Sequence, residues 1–103
     1  MKRGFTYIVA SPIRAIYTGV TSNLERRVWE HKHGVYEGFS KNKGCINLDL
    51  CEEHSDIRDA LAREREIKGW IRARKIALIE RDNPGWRDLA SDWYTETDVM
   101  ERK

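Results

Sequence analysis

Tyr7, Tyr17, Arg27, His31 and Glu64 are the side chains of this 103-residue sequence whose types could together hydrolyse a phosphodiester. That reaction needs a base near the attacking water and a cation for the charge that develops on phosphate. It commonly also needs a divalent metal to polarise oxygens and steady the leaving group. An arginine, a tyrosine or histidine, and a lone carboxylate can supply those parts. No cluster of several carboxylates stands nearby, so one metal held largely by waters and phosphate suits the set better than two. A phenol has a pKa near 10, so a tyrosine acting as base requires either a lowered pKa or a partner that receives its proton.

The elements that must position these groups can be read from periodicity. Phe5 to Val9 and Ile16 to Val20 alternate as two strands of a hairpin, joined through Ser11-Pro12-Ile13-Arg14, where proline suits a turn and not a central ladder. Ser22-Asn23-Leu24-Glu25 has the spacing of a capping box, which predicts a helix from about Ser22 to His33 that stops at Gly34. At about 100° per residue, Leu24, Arg27, Val28 and His31 share one stripe of that helix, so two cationic or titratable groups lie on its apolar side.

Val35 to Gly44 reads as a loop. Ile46, Leu48 and Leu50 then alternate with Asn47, Asp49 and Cys51 as a half-buried third strand. Ser55-Asp56 can cap a helix reaching about Trp70, and a further helix spans Arg72 to Arg81 before Asn83-Pro84-Gly85. On the first of these, Ala60, Leu61, Glu64, Ile67, Lys68 and Ile71 fall on one side, which embeds Glu64 in the apolar stripe. A carboxylate there needs pairing, protonation or a metal. A salt bridge to Lys68 or Arg27 without catalytic consequence satisfies the same pattern. Trp86 and Trp93 read as aromatic cover for the edge of the core, with base stacking as the alternative.

Length and composition limit the classes of function. The chain is expected to form one domain over residues 1–93, with a disordered tail over 94–103. No apolar run is long enough to span a bilayer and the N-terminus lacks a secretory stretch, so a cytoplasmic protein without a membrane partner is expected, as a monomer or weak dimer. Cys45 and Cys51 would lie about 20 Å apart on a strand, which favours free thiols. The net charge of +2 says little, but its distribution says more. Arg26, Lys32, Lys41 and Lys43 are candidate nucleic-acid contacts. The later basic run from Arg63 to Lys75 equally fits a solvated helix face. His33 and His54 read as exposed helix-end residues.

Phe5-Thr6-Tyr7, Tyr17-Thr18-Gly19, Asn23 to Val28 and Glu30-His31-Lys32 resemble the GIY-YIG nuclease superfamily. Within it they are most similar to the small stand-alone bacterial proteins, which are like the N-terminal domain of excinuclease C. Ala62 to Trp70 and Asn83 to Leu89 extend the resemblance, which covers about residues 4 to 93. It implies an α/β (α+β) fold, a three-stranded antiparallel sheet flanked by helices in the order β-β-α-β-α-α. It also implies cleavage of nucleic acid with one divalent metal, magnesium or else manganese. Carried over by position, Tyr7 and Tyr17 share the activation of water, Arg27 stabilises phosphate charge, His31 assists the base and Glu64 binds the metal. Asn83 is the candidate for a metal-site asparagine that some members carry late in the chain. The sequence departs from the family at Phe5-Thr6 and Thr18, and in Gly44 to Leu50, where related proteins carry an aromatic and basic strand.

The expected function is therefore a metal-dependent endonuclease hydrolysing phosphodiester bonds in DNA, structure-selective and of a repair or recombination type, with RNA as the other substrate. The alternatives are a nucleic-acid-binding module of the same fold that cuts weakly or not at all, and a protein-interaction domain presenting Trp70, Trp86 and Trp93.

Overall fold

A computed structural model describes residues 2–34 and 44–94. Lys41 and Lys43, and residues 95–103 of the expected 94–103 tail, lie outside those residues. The elements run β1 (Gly4–Ala10), β2 (Ile16–Thr21), α1 (Leu24–Lys32), β3 (Asn47–His54), α2 (Ile57–Lys68) and α3 (Arg72–Asp82). The three strands form one antiparallel sheet in the order β2-β1-β3. The α+β architecture and the element order are those expected from the sequence.

β1 is the central strand, and its alternation sends side chains into two different cores. Tyr7 and Val9 pack with Leu24 and Val28 of α1, together with Cys45, Leu48 and Ala90. Ile8 packs on the opposite face with Leu50, Ile67 of α2, and Leu78 and Ile79 of α3. The sheet is thus covered by α1 on one side and by α2 and α3 on the other, which is why β1 is apolar almost throughout. The hairpin turn closes through Arg14 N–H to the Ser11 carbonyl at 2.8 Å, with Arg14 in the left-handed region at φ 63°.

Local chemistry sets the helix ends. Asn23, not Ser22, caps α1: its side chain accepts from Arg26 N–H at 3.1 Å, so the helix starts later than the S-x-x-E spacing suggests. Asparagine reaches the orphan amides as well as serine does, and Ser22 is left outside the helix. Asp56 caps α2 by accepting from Arg58 N–H at 2.9 Å. His33 lies just past α1, exposed and stacked on Trp29. His54 ends β3 instead of a helix, with Nε2 3.8 Å from Glu52.

β3 departs most from simple alternation. Ile8 pairs with Leu50 and Val9 with Leu48, so Asp49 is an extra residue bulged out of the ladder. The bulge puts Leu48 and Leu50 into opposite cores although they are two residues apart. It also exposes Ile46 and buries Cys45 ahead of the strand. Both cysteines are free thiols.

The segment after α3 is tied back over this bulge. Asn83 Nδ2 donates to the carbonyls of Asp49 at 3.2 Å and Arg87 at 2.9 Å, and its Oδ1 accepts from Arg87 N–H. Asn83 is therefore a structural clamp and contributes nothing to the set around Tyr7. Asp88 accepts from Leu48 N–H at 2.9 Å and from Ala90 N–H at 3.1 Å, and forms an ion pair with Lys32. Lys32 also donates to the Ile46 carbonyl, so its ammonium joins α1 to the start of β3. Trp86 and Trp93 cover the two cores, as their apolar area suggested.

Asp49 is the residue this arrangement costs most. Its carboxyl is buried, and Oδ1 has no hydrogen-bond partner. Burial, then the charge of Asp88, push its pKa up to about 7, with Arg14 and Lys32 opposing. Since the folded value lies above the unfolded one, the contribution of Asp49 to stability is fully present below about pH 3.8 and is lost as pH rises through about 7. Urea denaturation should find Asp49→Asn more stable than the unsubstituted protein by ~2 kcal/mol at pH 8, with the two converging near pH 4.

Candidate active site

Tyr7 is the deepest of the five candidate residues, with no solvent exposure. Its neighbour across the ladder is Gly19 of β2, and the phenol lies directly over that residue. A Cβ at position 19 would stand 2.4 Å from Tyr7 Oη and 2.5 Å from Cζ, so the glycine is required by the ring on the adjacent strand. The phenol then runs on to α1, where Oη lies 2.9 Å from His31 Nε2. His31 reaches that point because α1 turns Leu24, Val28 and His31 onto one buried stripe.

Tyr17 pairs with Val9, and opposite residues of an antiparallel ladder share a face, so it stands on the same side of the sheet as Tyr7. Its ring centroid is 5.4 Å from that of His31, which sits between the two tyrosines. Lys68 Nζ lies 5.8 Å from the Tyr17 centroid and 3.1 Å from Glu64 Oε2. Glu64 is buried on α2 between Ala60 and Ile67, as the helical stripe required, and the i,i+4 pairing with Lys68 is formed. Arg27 Nε is 3.3 Å from Glu30 Oε1, and Arg26 Nε is 3.5 Å from Glu30 Oε2. Both arginines line a cavity of about 360 Å³ with Thr21, Ser22, Asn23 and Glu30.

Electrostatics join these pieces into one set. Burial, the largest cause, pushes the Tyr7 phenol well above its ordinary value. The charges of Tyr17, Glu64 and Glu30 act in the same sense, while Arg27 opposes them. Burial and then the Arg27 charge push His31 down to about 4. Near neutral pH, Tyr7 is thus an uncharged phenol against an uncharged imidazole. The fold brings all five candidate residues within electrostatic reach of Tyr7 Oη.

Three further residues belong to this surrounding. Glu30 holds both arginines although the helical wheel points it away from the apolar stripe; its i,i+3 and i,i+4 spacing to Arg27 and Arg26 is the signal the sequence offers. Lys68 neutralises Glu64 and approaches Tyr17. Lys32, expected on nucleic acid, is engaged by Asp88 and the Ile46 carbonyl instead, a partnership 56 residues apart that no local pattern announces.

Glu64 is a hard oxygen donor, and among the described residues no three His, Cys, Asp or Glu side chains gather as a metal cage. That donor set fits magnesium bound by one carboxylate, with waters and a phosphate completing the shell, and does not fit an all-protein site.

A small antiparallel sheet with a tyrosine on each hairpin strand, an arginine and histidine on the next helix and a glutamate on a later one defines a known class. The model of the GIY-YIG catalytic domain matches residues 3–77, and the chain belongs to that family. Within it, the chain is similar to small proteins named UPF0213. One from Syntrophus aciditrophicus is 32% identical over 83 residues, covering 80% of this chain and 95% of that one. One from Staphylococcus haemolyticus is 34% identical, covering 78% and 98%. The solution NMR structure of a UPF0213 protein from Bacillus halodurans shares the fold, with a TM-score of 0.55, 21% identity, and coverage of 87% of this chain and 97% of that one. No helix among the described residues is long and apolar enough to cross a membrane.

The His31 environment has a consequence for stability. Its folded pKa lies below the unfolded value of 6.5, so the stability it contributes is present above about pH 6.5 and is lost as pH falls through about 4. The loss should amount to ~3 kcal/mol. Denaturation midpoints should fall over that range in the unsubstituted protein and fall less in His31→Gln. An NMR titration of the His31 ring should show a midpoint near 4, whereas a midpoint above 6 would place the ring in water.

Proposed function

We propose that this protein is a metal-dependent endonuclease that hydrolyses phosphodiester bonds in DNA, selecting substrates by structure more than by sequence. The observation that carries this reading is the Tyr7 Oη to His31 Nε2 contact of 2.9 Å within electrostatic reach of Arg27 and Glu64. Tyr7, shut off from solvent, does not meet the attacking water itself; its contact fixes the uncharged His31 ring between the two tyrosines, where it can serve as a base. Tyr7 is then a positioning residue, and His31 the terminal proton acceptor. Tyr17, on the same face and against the other side of His31, orients the water.

The low pKa of His31 in the substrate-free protein makes it a weak base there, through burial first and the Arg27 charge second. A phosphate drawn against Arg27 offsets that charge and makes the imidazole a stronger base when substrate is bound. In the hydrolysis, the water oxygen bonds to phosphorus and the bond to the leaving oxygen breaks. One water proton passes through the half-buried Tyr17 to His31, and solvent protonates the leaving oxygen. Arg27, held by Glu30, stabilises the added negative charge on phosphate. Glu64 would hold the metal, which when bound polarises phosphate oxygens and steadies the leaving group. Lys68 must yield its contact with Glu64 for this, and it is half-exposed and free to swing out. Arg26, exposed beside Arg27, supplies a flanking phosphate contact.

A small domain offers few positions to read base edges, which supports selection by structure. The Glu64–Lys68 pair supports a second reading, a nucleic-acid-binding module in which the carboxylate stays neutralised and no metal binds.

Purified protein should be assayed on nicked, flapped, single-stranded and duplex DNA and on RNA, with magnesium, manganese or a chelator. Arg27→Ala and Glu64→Ala are expected to lower kcat by ~10²–10³-fold at unchanged fold. Metal-dependent cutting that survives Glu64→Ala in full would sink the proposed site, and salt-sensitive binding without cutting would favour the module.

A further inference from the structure

A second cavity, of about 730 Å³, adjoins the polar pocket of Arg26, Arg27 and Glu30, and the two share Ser22 and Asn23 as a common wall. Its chemistry is different. Phe5, Leu24 and Trp93 supply apolar walls, with Arg3 and Glu25 at the margins. Phe5 lies two residues from Tyr7 on the same face of β1, about 7 Å along the strand. Arg3 lies over the Phe5 ring at 5.5 Å and is held there by Glu53 at 2.8 Å. Across the cavity, Trp93 N–H donates to the Ala90 carbonyl at 3.2 Å. The adjacent Tyr94 hydroxyl donates to the Glu25 carbonyl at 2.5 Å, which pins this segment to the first turn of α1. Both aromatic walls are therefore in place before any ligand arrives.

We infer that this cavity receives one unpaired nucleobase of the strand whose phosphate lies against Arg27. The inference rests on the phosphodiesterase reading of the neighbouring pocket and goes further by assigning a base subsite to the same substrate. The volume lies in the range of small-ligand pockets. Two aromatic side chains with a guanidinium beside them suit a flat ring with a polar edge, and stacking of this kind tolerates any base. Glu25 offers an acceptor for exocyclic amino groups. The continuity through Ser22 and Asn23 places base and phosphate subsites within one nucleotide of each other. A paired base would have to leave its stack to enter, so single strands, flaps and gaps are preferred over duplex.

The test uses the full chain carrying 5-fluorotryptophan, in chelator so that nothing is cut. Single-stranded DNA and RNA of one sequence, a base-free deoxyribose-phosphate oligomer of equal length, and duplex DNA are titrated by fluorine NMR and by anisotropy. Trp93 is assigned as the resonance missing from Trp93→Leu. It should shift with the single strands and stay in place with the base-free oligomer. Trp93→Leu should weaken single-strand binding about five- to hundredfold and duplex binding less than twofold, while Trp93→Phe, which keeps an aromatic face, should retain most of the affinity. Melting curves exclude loss of fold as the cause. Salt-sensitive binding with Trp93 unmoved overturns the base subsite and leaves the phosphodiesterase reading standing; no binding of any nucleic acid overturns both. A Trp93 resonance that shifts when residues 95–103 are deleted, without nucleic acid, would make the chain itself the occupant and also overturn the inference.

Discussion

A phenol without solvent contact needs a hydrogen-bond partner, and in this protein Tyr7 finds it in His31 Nε2 at 2.9 Å. Much of the structure follows from meeting that demand. The central strand has to be covered on the Tyr7 face by a helix that can present an imidazole. The helix therefore carries Leu24, Val28 and His31 on one stripe, and its cap at Asn23 sets the phase at which His31 arrives. The hydrogen bond keeps an unpaired hydroxyl out of the core, where leaving it unmet would cost about 1–3 kcal/mol.

Charge is distributed so that the buried pair stays neutral while its surroundings do not. Arg27 and Arg26 share Glu30, and Glu64 shares Lys68, so each charged group near the tyrosines has an opposite one within about 3.5 Å. These are pairs at the boundary of the core with at least one member open to water, where such contacts are worth little for stability. Their effect is on geometry and on proton affinity. Arg27 alone lowers the affinity of both Tyr7 and His31 for protons, which makes the basicity of the pair responsive to whatever anion lies beside that guanidinium.

Features set by contiguous residues are legible in the sequence, and features set by distant ones are not. Alternation locates β1 and β2, and helical phase puts His31 and Glu64 on apolar stripes, because both depend only on near neighbours along the chain. The family resemblance then implies roles for those residues that periodicity cannot. The bulge at Asp49 leaves no mark on the pattern, since Leu48 and Leu50 satisfy alternation whether or not they face the same core. Choosing between those arrangements needs the pairing register with β1, which is a tertiary property. Lys32 reads as a surface cation because Asp88 is 56 positions away. Asn83 likewise becomes a loop clamp only once α3 has delivered it beside Asp49.

The contact between Tyr7 and Gly19 also bears on how family motifs are weighed. In the two paired elements, the tyrosine on β1 and the glycine on β2 would count as separate matches. Here they are one steric unit, because the ring occupies the volume a Cβ at position 19 would need. A chain that keeps the tyrosine in this position is obliged to keep the glycine. Finding the glycine once the tyrosine is known therefore adds little independent information. The discriminating weight in recognising such a chain belongs to Arg27 and Glu64, whose identities the Tyr7 ring and its hydrogen bond do not dictate.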